Sequence, residues 1–269
     1  MNKLILGRYF PGDSWLHQLD PRAKLVAVIY FIGILFLANN WQTYTLLWIF
    51  TIVIMRLSGV SISTYIKGVR PLIWLILFTV CMKTLFTAGG TIYVDYGPFT
   101  ISSFGIVHGI YTFCRFVMII FVSTVLTLTT KPIDLTDGIN SLLRPLRRFK
   151  VPVDEISIML SISLRFIPTL LDETQKVMDA QRARGTEFGE GSLFKQMKTL
   201  VPILLPLFVS SMNRAEELAN LMEVRGYQSG STRSTFRQLN WHYRDTVSLG
   251  LMLLLTVGLA LLREKGLYH

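Results

Sequence analysis

Residues 105–128 read GIVHGIYTFCRFVMIIFVSTVLTL, and this apolar run decides the class of fold. A helix needs about 20 mostly apolar residues to cross the hydrocarbon core of a bilayer, which is roughly 30 Å thick. The run exceeds that length, and its one permanently charged side chain is Arg115. It therefore predicts a transmembrane helix.

The composition of the whole chain agrees with an integral membrane protein. The chain has 269 residues, of which 51% are hydrophobic and 16% are charged, whereas soluble domains carry about 25% charged residues. The net charge of +10 is expected from Lys and Arg in cytoplasmic loops rather than from nucleic-acid binding. Cys81 and Cys114 both lie in apolar runs, so neither a disulfide framework nor a zinc site is expected.

Four further apolar runs bring the predicted number of transmembrane helices to about five. They cover residues 25–38, 44–55, 71–86 and 246–262. Loops rich in Lys and Arg alternate with loops that carry neither, and this alternation places the N-terminus inside the cell, because cytoplasmic loops have an excess of Lys and Arg. Arg56, Lys67 and Arg70 are assigned to an inside loop, whereas Arg263 and Lys265 would lie outside and mildly break the rule. We therefore predict an all-α, multi-pass protein whose first partner is the lipid bilayer.

The segment 131–245 differs in kind from the apolar runs. It holds 16 of the 27 basic residues and 13 of the 17 acidic residues, yet it keeps apolar residues at helical spacing. We predict four transmembrane helices in 1–130, a cytoplasmic domain of amphipathic helices in 131–245, and a last transmembrane helix in 246–269. Two helices of this domain are long, and a shorter amphipathic helix precedes them.

Both long helices end at an Arg-Gly pair. The stretches DAQRARGTEF (179–188) and NLMEVRGYQS (220–229) align without a gap, so that Ala183 matches Val224. One interpretation is a helix stop, because Gly accepts the left-handed conformation after a helix and Arg suits the negative end of the helix dipole. The other is a pair of docking points, because Arg binds a carboxylate with two parallel hydrogen bonds. Both interpretations stay open on the sequence.

Prolines interrupt the apolar parts of the same two helices. Pro168 would kink or break the first helix, and Pro202 and Pro206 lie in the second. They are either kinks of the kind that membrane helices tolerate or bends between membrane-lying and cytoplasm-facing parts.

Few residues favour an enzyme or a pump. Arg115 is either a functional group inside the membrane or a donor to backbone carbonyls, and the spanning runs offer no acid for a proton path. The acid pairs Asp172-Glu173 and Glu216-Glu217 are expected either on solvated faces or in i to i+4 pairs with neighbours such as Lys176, Asn213 and Asn220. The chain lacks the G-x-x-x-x-G-K-[ST] loop that binds nucleotide phosphates, so energy would have to come from a partner. No catalytic residue is assigned, because no pattern groups a nucleophile with a base and oxyanion donors.

The order of these segments resembles the transmembrane T component of energy-coupling factor transporters. That family carries two Ala-Arg-Gly-like motifs at the ends of two cytoplasmic coupling helices. Here the matching tripeptides are ARG at 183–185 and VRG at 224–226, and the run SLRFIPTLLDE (163–173) is also similar. Val224 departs from the motif, which leaves the assignment of Arg225 standing.

The resemblance implies a non-enzymatic scaffold in the bacterial cell membrane, with its N-terminus and coupling domain in the cytoplasm. Two ABC-type ATPases that carry ATP-Mg would dock on it, and a small substrate-binding membrane subunit would capture a vitamin or another micronutrient. The chain itself would bind no cofactor, metal or nucleic acid. The alternatives are an ordinary ABC permease that lines its own substrate path, or a membrane-embedded enzyme. The implied ATPase-docking residues are Ala183, Arg184, Gly185, Val224, Arg225 and Gly226, and the implied bends are Pro168, Pro202 and Pro206.

Overall fold

Helices make up most of the structure, a computed structural model that describes residues 10, 12–87, 89, 91–96, 99–186, 188, 193–228 and 239–266. The all-α prediction is confirmed, with one small β-hairpin added. The helices are α1 (Pro21–Leu35), α2 (Trp41–Leu57), α3 (Ile62–Val69), α4 (Ile73–Phe86), α5 (Ser103–Thr129), α6 (Pro132–Leu143), α7 (Val153–Ala183), α8 (Leu193–Val224) and α9 (Tyr243–Gly266), and the strands are β1 (Ile92–Tyr96) and β2 (Phe99–Ser102).

The β-hairpin occupies a segment that the sequence analysis had left as a Gly-rich connection between two apolar runs. β1 and β2 pair antiparallel, with Ile92 opposite Ser102 and Tyr96 opposite Phe99. The physical reason is composition, because IYVDY and FTIS are rich in the β-branched and aromatic residues that favour strands.

Among the described residues, three helical segments are long and apolar enough to cross a membrane: Ile62–Phe86, Ser103–Thr129 and Tyr243–Arg263, with 25, 27 and 21 residues. The first joins α3 to α4 through a 3₁₀ turn at Arg70–Leu72, so Lys67 and Arg70 lie inside a helical segment and their assignment to a loop was wrong. α1 and α2 have 15 and 17 residues, or about 22 and 25 Å at 1.5 Å per residue. Full spans at α1 and α2 therefore stay a prediction.

The first compact unit contains the described residues of Met1–Leu142 and Leu239–His269. Its core is formed where α1, α2, α5 and α9 meet, so the last helix packs with the N-terminal helices although it is far from them in sequence. The buried side chains of this core include Phe31, Leu35, Tyr44, Leu47, Met118, Val122, Met252 and Leu255. The predicted boundaries at residues 130 and 245 stay predictions.

One buried carboxylate ties the start of α9 to the start of α1. Asp245 is fully buried; its Oδ1 accepts a hydrogen bond from the backbone N–H of Asp20 at 2.8 Å, and its Oδ2 accepts one from that of His242 at 2.8 Å. Asp20 in turn caps α1 by accepting from the N–H of Arg22. Asp245 thus satisfies a backbone donor at each of two helix starts, where such donors have no partner within the helix.

Lys24 lies buried beside this carboxylate, immediately before the first apolar run. Its Nζ donates to the backbone carbonyl oxygen of Thr129 at 3.0 Å and so joins α1 to the end of α5. Burial lowers the pKa of Lys24 from 10.5 to about 8, although the carboxylates of Asp134, Asp245 and Asp20 act in the opposite direction. Burial outweighs the three acids because removing an ammonium from water disfavours its charged form.

The second compact unit contains the described residues of Leu143–Gln238 and is built on α7 and α8, of 31 and 32 residues. Asp154 lies in the first turn of α7 and forms an ion pair with Arg147. Many large apolar side chains on both helices are exposed, among them Met159, Leu171, Leu205 and Phe208. Apolar surface of this extent marks contact with a membrane or with another protein.

The prolines do not interrupt these helices. Pro168 lies within α7, and Pro202 and Pro206 lie within α8, while each helix continues through them. The alternative that Pro168 breaks its helix was therefore wrong, because the loss of one backbone hydrogen bond does not end a helix that is continuous on both sides. A functional bend at each proline stays a prediction.

Candidate functional site

α7 closes on a glycine in the left-handed conformation. Gly185 has φ +85°, a value that residues with a side chain rarely adopt. Its N–H donates to the carbonyl oxygen of Arg182 at 2.9 Å, and the N–H of Thr186 donates to that of Gln181 at 3.0 Å. These two hydrogen bonds form a Schellman cap, and Arg184 is the last residue before the turn.

α8 closes in the same way at its own Arg-Gly pair. Gly226 has φ +72°, and its N–H donates to the carbonyl oxygen of Glu223 at 2.8 Å. The N–H of Tyr227 donates to the carbonyl oxygen of Met222 at 2.9 Å. Both hydrogen bonds of this cap match those at the end of α7, and Arg225 occupies the place of Arg184.

The six predicted docking residues are all exposed. Val224 is 86% exposed, although exposure of an apolar side chain to water is unfavourable. The side chains of Arg184 and Arg225 have no acidic partner within the described part of the chain. A helix stop explains the two glycines, whereas it does not require an exposed apolar residue and an exposed arginine beside them.

The glycines owe their place to backbone conformation alone. A Cβ added at Gly185 or at Gly226 would meet no atom within 4 Å. Close packing therefore does not select glycine here, and the positive φ angle does. Among the described residues, nothing covers the space beside either glycine.

Upstream of the two ends, a polar cluster joins α7 to α8. The carboxylate of Glu173 accepts hydrogen bonds from the hydroxyl of Ser210 and from Nη2 of Arg214, the latter at 3.2 Å. The guanidinium of Arg214 also lies over the ring of Phe166, 5.5 Å from its centre. The expectation that Glu173 lies on a solvated face was wrong, because its side chain is 25% exposed and paired. The other three residues of the two acid pairs, Asp172, Glu216 and Glu217, are exposed.

The sequence carried a signal for this cluster. Glu173 and Arg214 are separated by as many positions along the chain as Arg184 and Arg225 are. The alignment that matches Arg184 with Arg225 therefore also matches Glu173 with Arg214. Extending the alignment of the two Arg-Gly ends upstream therefore sets an acid and a base at equivalent positions. Two similar helices that meet at equivalent positions would bring these opposite charges together.

Comparison with known proteins decides the family. The family model described as cobalt transport protein matches residues 12–236. The energy-coupling factor transporter transmembrane protein EcfT 1 of Listeria monocytogenes serotype 1/2a is 60% identical over 98% of this chain and 100% of the relative. The chain belongs to the transmembrane proteins of energy-coupling factor transporters. EcfT proteins of Lacticaseibacillus paracasei and Bacillus subtilis are 57% and 48% identical, each over 98% of this chain and over 100% and 99% of their own length.

Membership in the EcfT family confirms the resemblance seen in the sequence. The chain is a membrane component of a transporter and not an enzyme, which agrees with the absence of an assigned catalytic residue. Components of such transporters act in a complex, so the chain has partner subunits. The identity of those partners and the residues that bind them are taken up below.

Arg115 has a structural role, because its side chain links α5 to the residues between α1 and α2. Its Nη2 donates to the hydroxyl of Tyr44 at 2.9 Å and to the backbone carbonyl oxygen of Ala38 at 3.5 Å. Its guanidinium also lies 5.1 Å from the centre of the Phe36 ring. These contacts hold the turn between α1 and α2 against α5, so the geometry supports the second of the two interpretations of Arg115, hydrogen bonding to the backbone.

A groove of about 560 Å³ lies on α8 beside the Glu173–Arg214 cluster. Pro206, Ser210 and Arg214 line it, whereas none of the six predicted docking residues does. The candidate docking sites are thus exposed helix ends that lie outside this groove. An exposed end suits insertion into a groove of another protein, whereas the capture of a small molecule needs a concave site.

Proposed function

We propose that this chain is the coupling subunit of an energy-coupling factor transporter and that two ABC-type ATPases dock on it, one at Arg184 and one at Arg225. ATP binding and hydrolysis on these ATPases would move α7 and α8. That movement would shift a small substrate-binding membrane subunit, which takes up a vitamin or another micronutrient. ATP-Mg belongs to the ATPases and the substrate to the third subunit.

The duplicated helix ends carry this proposal. Two ends with the same cap, the same arginine and the same exposure suit two partners with the same receiving surface. A single docking event would need one such end. The family membership supports the same conclusion, because a transporter component without a nucleotide-binding loop must receive its energy from another chain.

The chemistry of each end suits insertion into an acidic groove. The last carbonyl groups of a helix carry partial negative charge, which favours a cation at that position before any partner arrives. A carboxylate groove would accept two parallel hydrogen bonds from the guanidinium, and lysine cannot supply this pair. Ala183 and Val224 would add a small apolar contact beside each arginine.

The remaining surfaces fit the other partners. The exposed apolar faces of α7 and α8, which include Met159, Leu171, Leu205 and Phe208, are proposed to receive the substrate-binding subunit and the membrane. The N-terminus and the unit that carries α7 and α8 are proposed to face the cytoplasm, where ATP is available. An ordinary permease would instead line a substrate path with converging polar groups, and the apolar runs offer few.

Charge reversal tests the docking sites. Breaking one partner of a buried, hydrogen-bonded charge pair at an interface costs about 2–5 kcal/mol, which corresponds to at least about a 30-fold loss of affinity. Arg184→Glu and Arg225→Glu should each weaken co-purification of the ATPases by that factor, and the double variant should release both. Arg182→Glu is the matched control, because Arg182 is also exposed and, in the part of the chain that the structure describes, contacts the nearby Asp179 and Phe188 side chains.

The outcome is decided by comparison with that control. The proposal predicts that Arg182→Glu keeps both ATPases and substrate uptake, whereas the double variant at 184 and 225 loses both. If the double variant retained ATPases and uptake at the level of the unmodified protein, the docking assignment would be wrong.

A further inference from the structure

We infer that Glu173 and Arg214 are positioning residues that fix the point at which α7 and α8 meet, and through it the spacing of the two Arg-Gly ends. The functional importance of this spacing rests on the proposed function, because the distance between the two ends matters only if two partners dock there. The inference itself concerns the geometry of this chain and can be tested without any partner.

The polar contacts between the two helices that the described side chains show lie in a short region. On α7 it involves Phe166 and Glu173, and on α8 it involves Ser210 and Arg214. Both helices continue well beyond this region, and large apolar side chains outside it are exposed, such as Leu200 before it and Leu221 after it on α8. Two helices of this length that meet over so short a region cross each other.

The crossing lies at the same distance from both ends. Glu173 precedes Arg184 by as many positions as Arg214 precedes Arg225. At about 1.5 Å per residue each arm is about 16 Å long. A rotation of about 10° at the crossing would move each end by about 3 Å for that arm length. The equal arms mean that one rotation displaces both ends by the same amount.

The chemistry of the pair explains why it can fix this point. Apolar packing is non-directional, so two helices with exposed apolar faces can slide or rotate past each other at little cost. The guanidinium of Arg214 is planar and is held on one side by Glu173 and on another by the Phe166 ring. Directional polar contacts of this kind select one register among many packings, as a buried polar residue does in a coiled coil.

The test measures the distance between the two ends in the full-length chain in lipid nanodiscs. Spin labels are attached at Arg182→Cys and Glu223→Cys, after replacement of Cys81 and Cys114. Positions 182 and 223 are exposed and equivalent, and they lie outside the predicted docking set. Double electron–electron resonance then gives the distribution of distances.

Glu173→Gln and Arg214→Gln should each broaden this distribution or shift its mean by several ångströms. The exchange Glu173→Arg with Arg214→Glu should restore a narrow distribution, because the pair is rebuilt with reversed polarity. Asp154→Asn is the matched control: it removes the ion pair with Arg147 in the same unit and should leave the distribution unchanged. An unchanged distribution in both single variants, or equal broadening in Asp154→Asn, would overturn the inference.

A second measurement separates this inference from the docking proposal. In the assembled transporter, Glu173→Gln should retain the ATPases while lowering substrate uptake per ATP hydrolysed. Charge reversal at the two arginines should instead lose the ATPases themselves. Retained ATPases with unchanged uptake per ATP in Glu173→Gln would count against the positioning role and leave the docking proposal intact. If Glu173→Gln changed the distance between the two helix ends but charge reversal at Arg184 and Arg225 left the ATPases bound, the positioning role would stand and the docking proposal would fail.

Discussion

Replacing Gly185 or Gly226 by alanine should loosen a helix end without touching the arginine beside it. Both glycines have positive φ angles of +85° and +72°, and both caps depend on that conformation. The hydrogen bond from the Thr186 N–H to the Gln181 carbonyl oxygen is made only while residue 185 holds the turn. The substitution thus separates the glycine, as the residue that ends the helix, from the arginine, as the proposed docking group.

The magnitude follows from backbone strain alone. A left-handed conformation costs a residue with a Cβ about 1–2 kcal/mol, and no steric term is added because nothing lies within 4 Å of either new Cβ. This cost corresponds to a shift of about 5- to 30-fold in the equilibrium between the closed cap and a frayed end. The same factor is the upper limit for the loss of affinity for the proposed ATPases. A partner that needs the closed cap binds only the fraction of molecules in which the cap is closed.

Amide hydrogen exchange measures the shift directly. Exchange at the amides of Thr186 and Tyr227 should accelerate by about 5- to 30-fold in Gly185→Ala and Gly226→Ala, respectively, by the strain estimated above. Gly250→Ala is the matched control, because Gly250 lies within α9 with a φ outside the left-handed region and with open space around it. Alanine there favours the helix. Unchanged exchange at Thr186 and Tyr227 would refute the reasoning.

Two further predictions concern the first unit. Asp245→Ala should lower the free energy of unfolding by about 3–5 kcal/mol, because it leaves the buried N–H of Asp20 and the partly buried N–H of His242 without their charged acceptor. Thermal unfolding in nanodiscs measures this change, and the exposed Asp172→Asn should change stability by no more than about 0.5 kcal/mol. Lys24 has a folded-state pKa of about 8 against 10.5, so between these pH values the unfolded chain holds a proton that the folded chain has lost. Raising the pH through this window should therefore stabilise the protein by about 3 kcal/mol relative to Lys24→Met, and parallel pH profiles of the two proteins would contradict the account.

The local part of the fold was predictable from the sequence. The apolar run at 105–128 anticipated α5 to within two residues of Ser103–Thr129, because the length of a spanning segment depends on the bilayer and on local composition. The glycines at 185 and 226 marked the ends of α7 and α8 for an equally local reason, the φ angle of one residue. The resemblance carried by the two tripeptides then pointed to the family that the comparisons confirm.

The non-local part was not predictable in the same way. Lys67 and Arg70 were assigned to a loop because charge marks loops, whereas the helical segment from Ile62 to Phe86 includes them. Glu173 was assigned to a solvated face because its partner, Arg214, is far away in the sequence. Whether Arg184 and Arg225 dock depends on the surface of another protein, and no local rule of this chain contains that information.

Site-specific photo-crosslinking tests the central claim most directly. A photoreactive amino acid placed at Ala183 or at Val224 lies next to the proposed docking arginine on an exposed surface, and each variant is irradiated in the assembled transporter in its native membrane. The account predicts a crosslink to an ABC-type ATPase from both positions, and none from Met159, on the apolar part of α7. Crosslinks from 183 and 224 to the substrate-binding subunit, or to no protein at all, would contradict it.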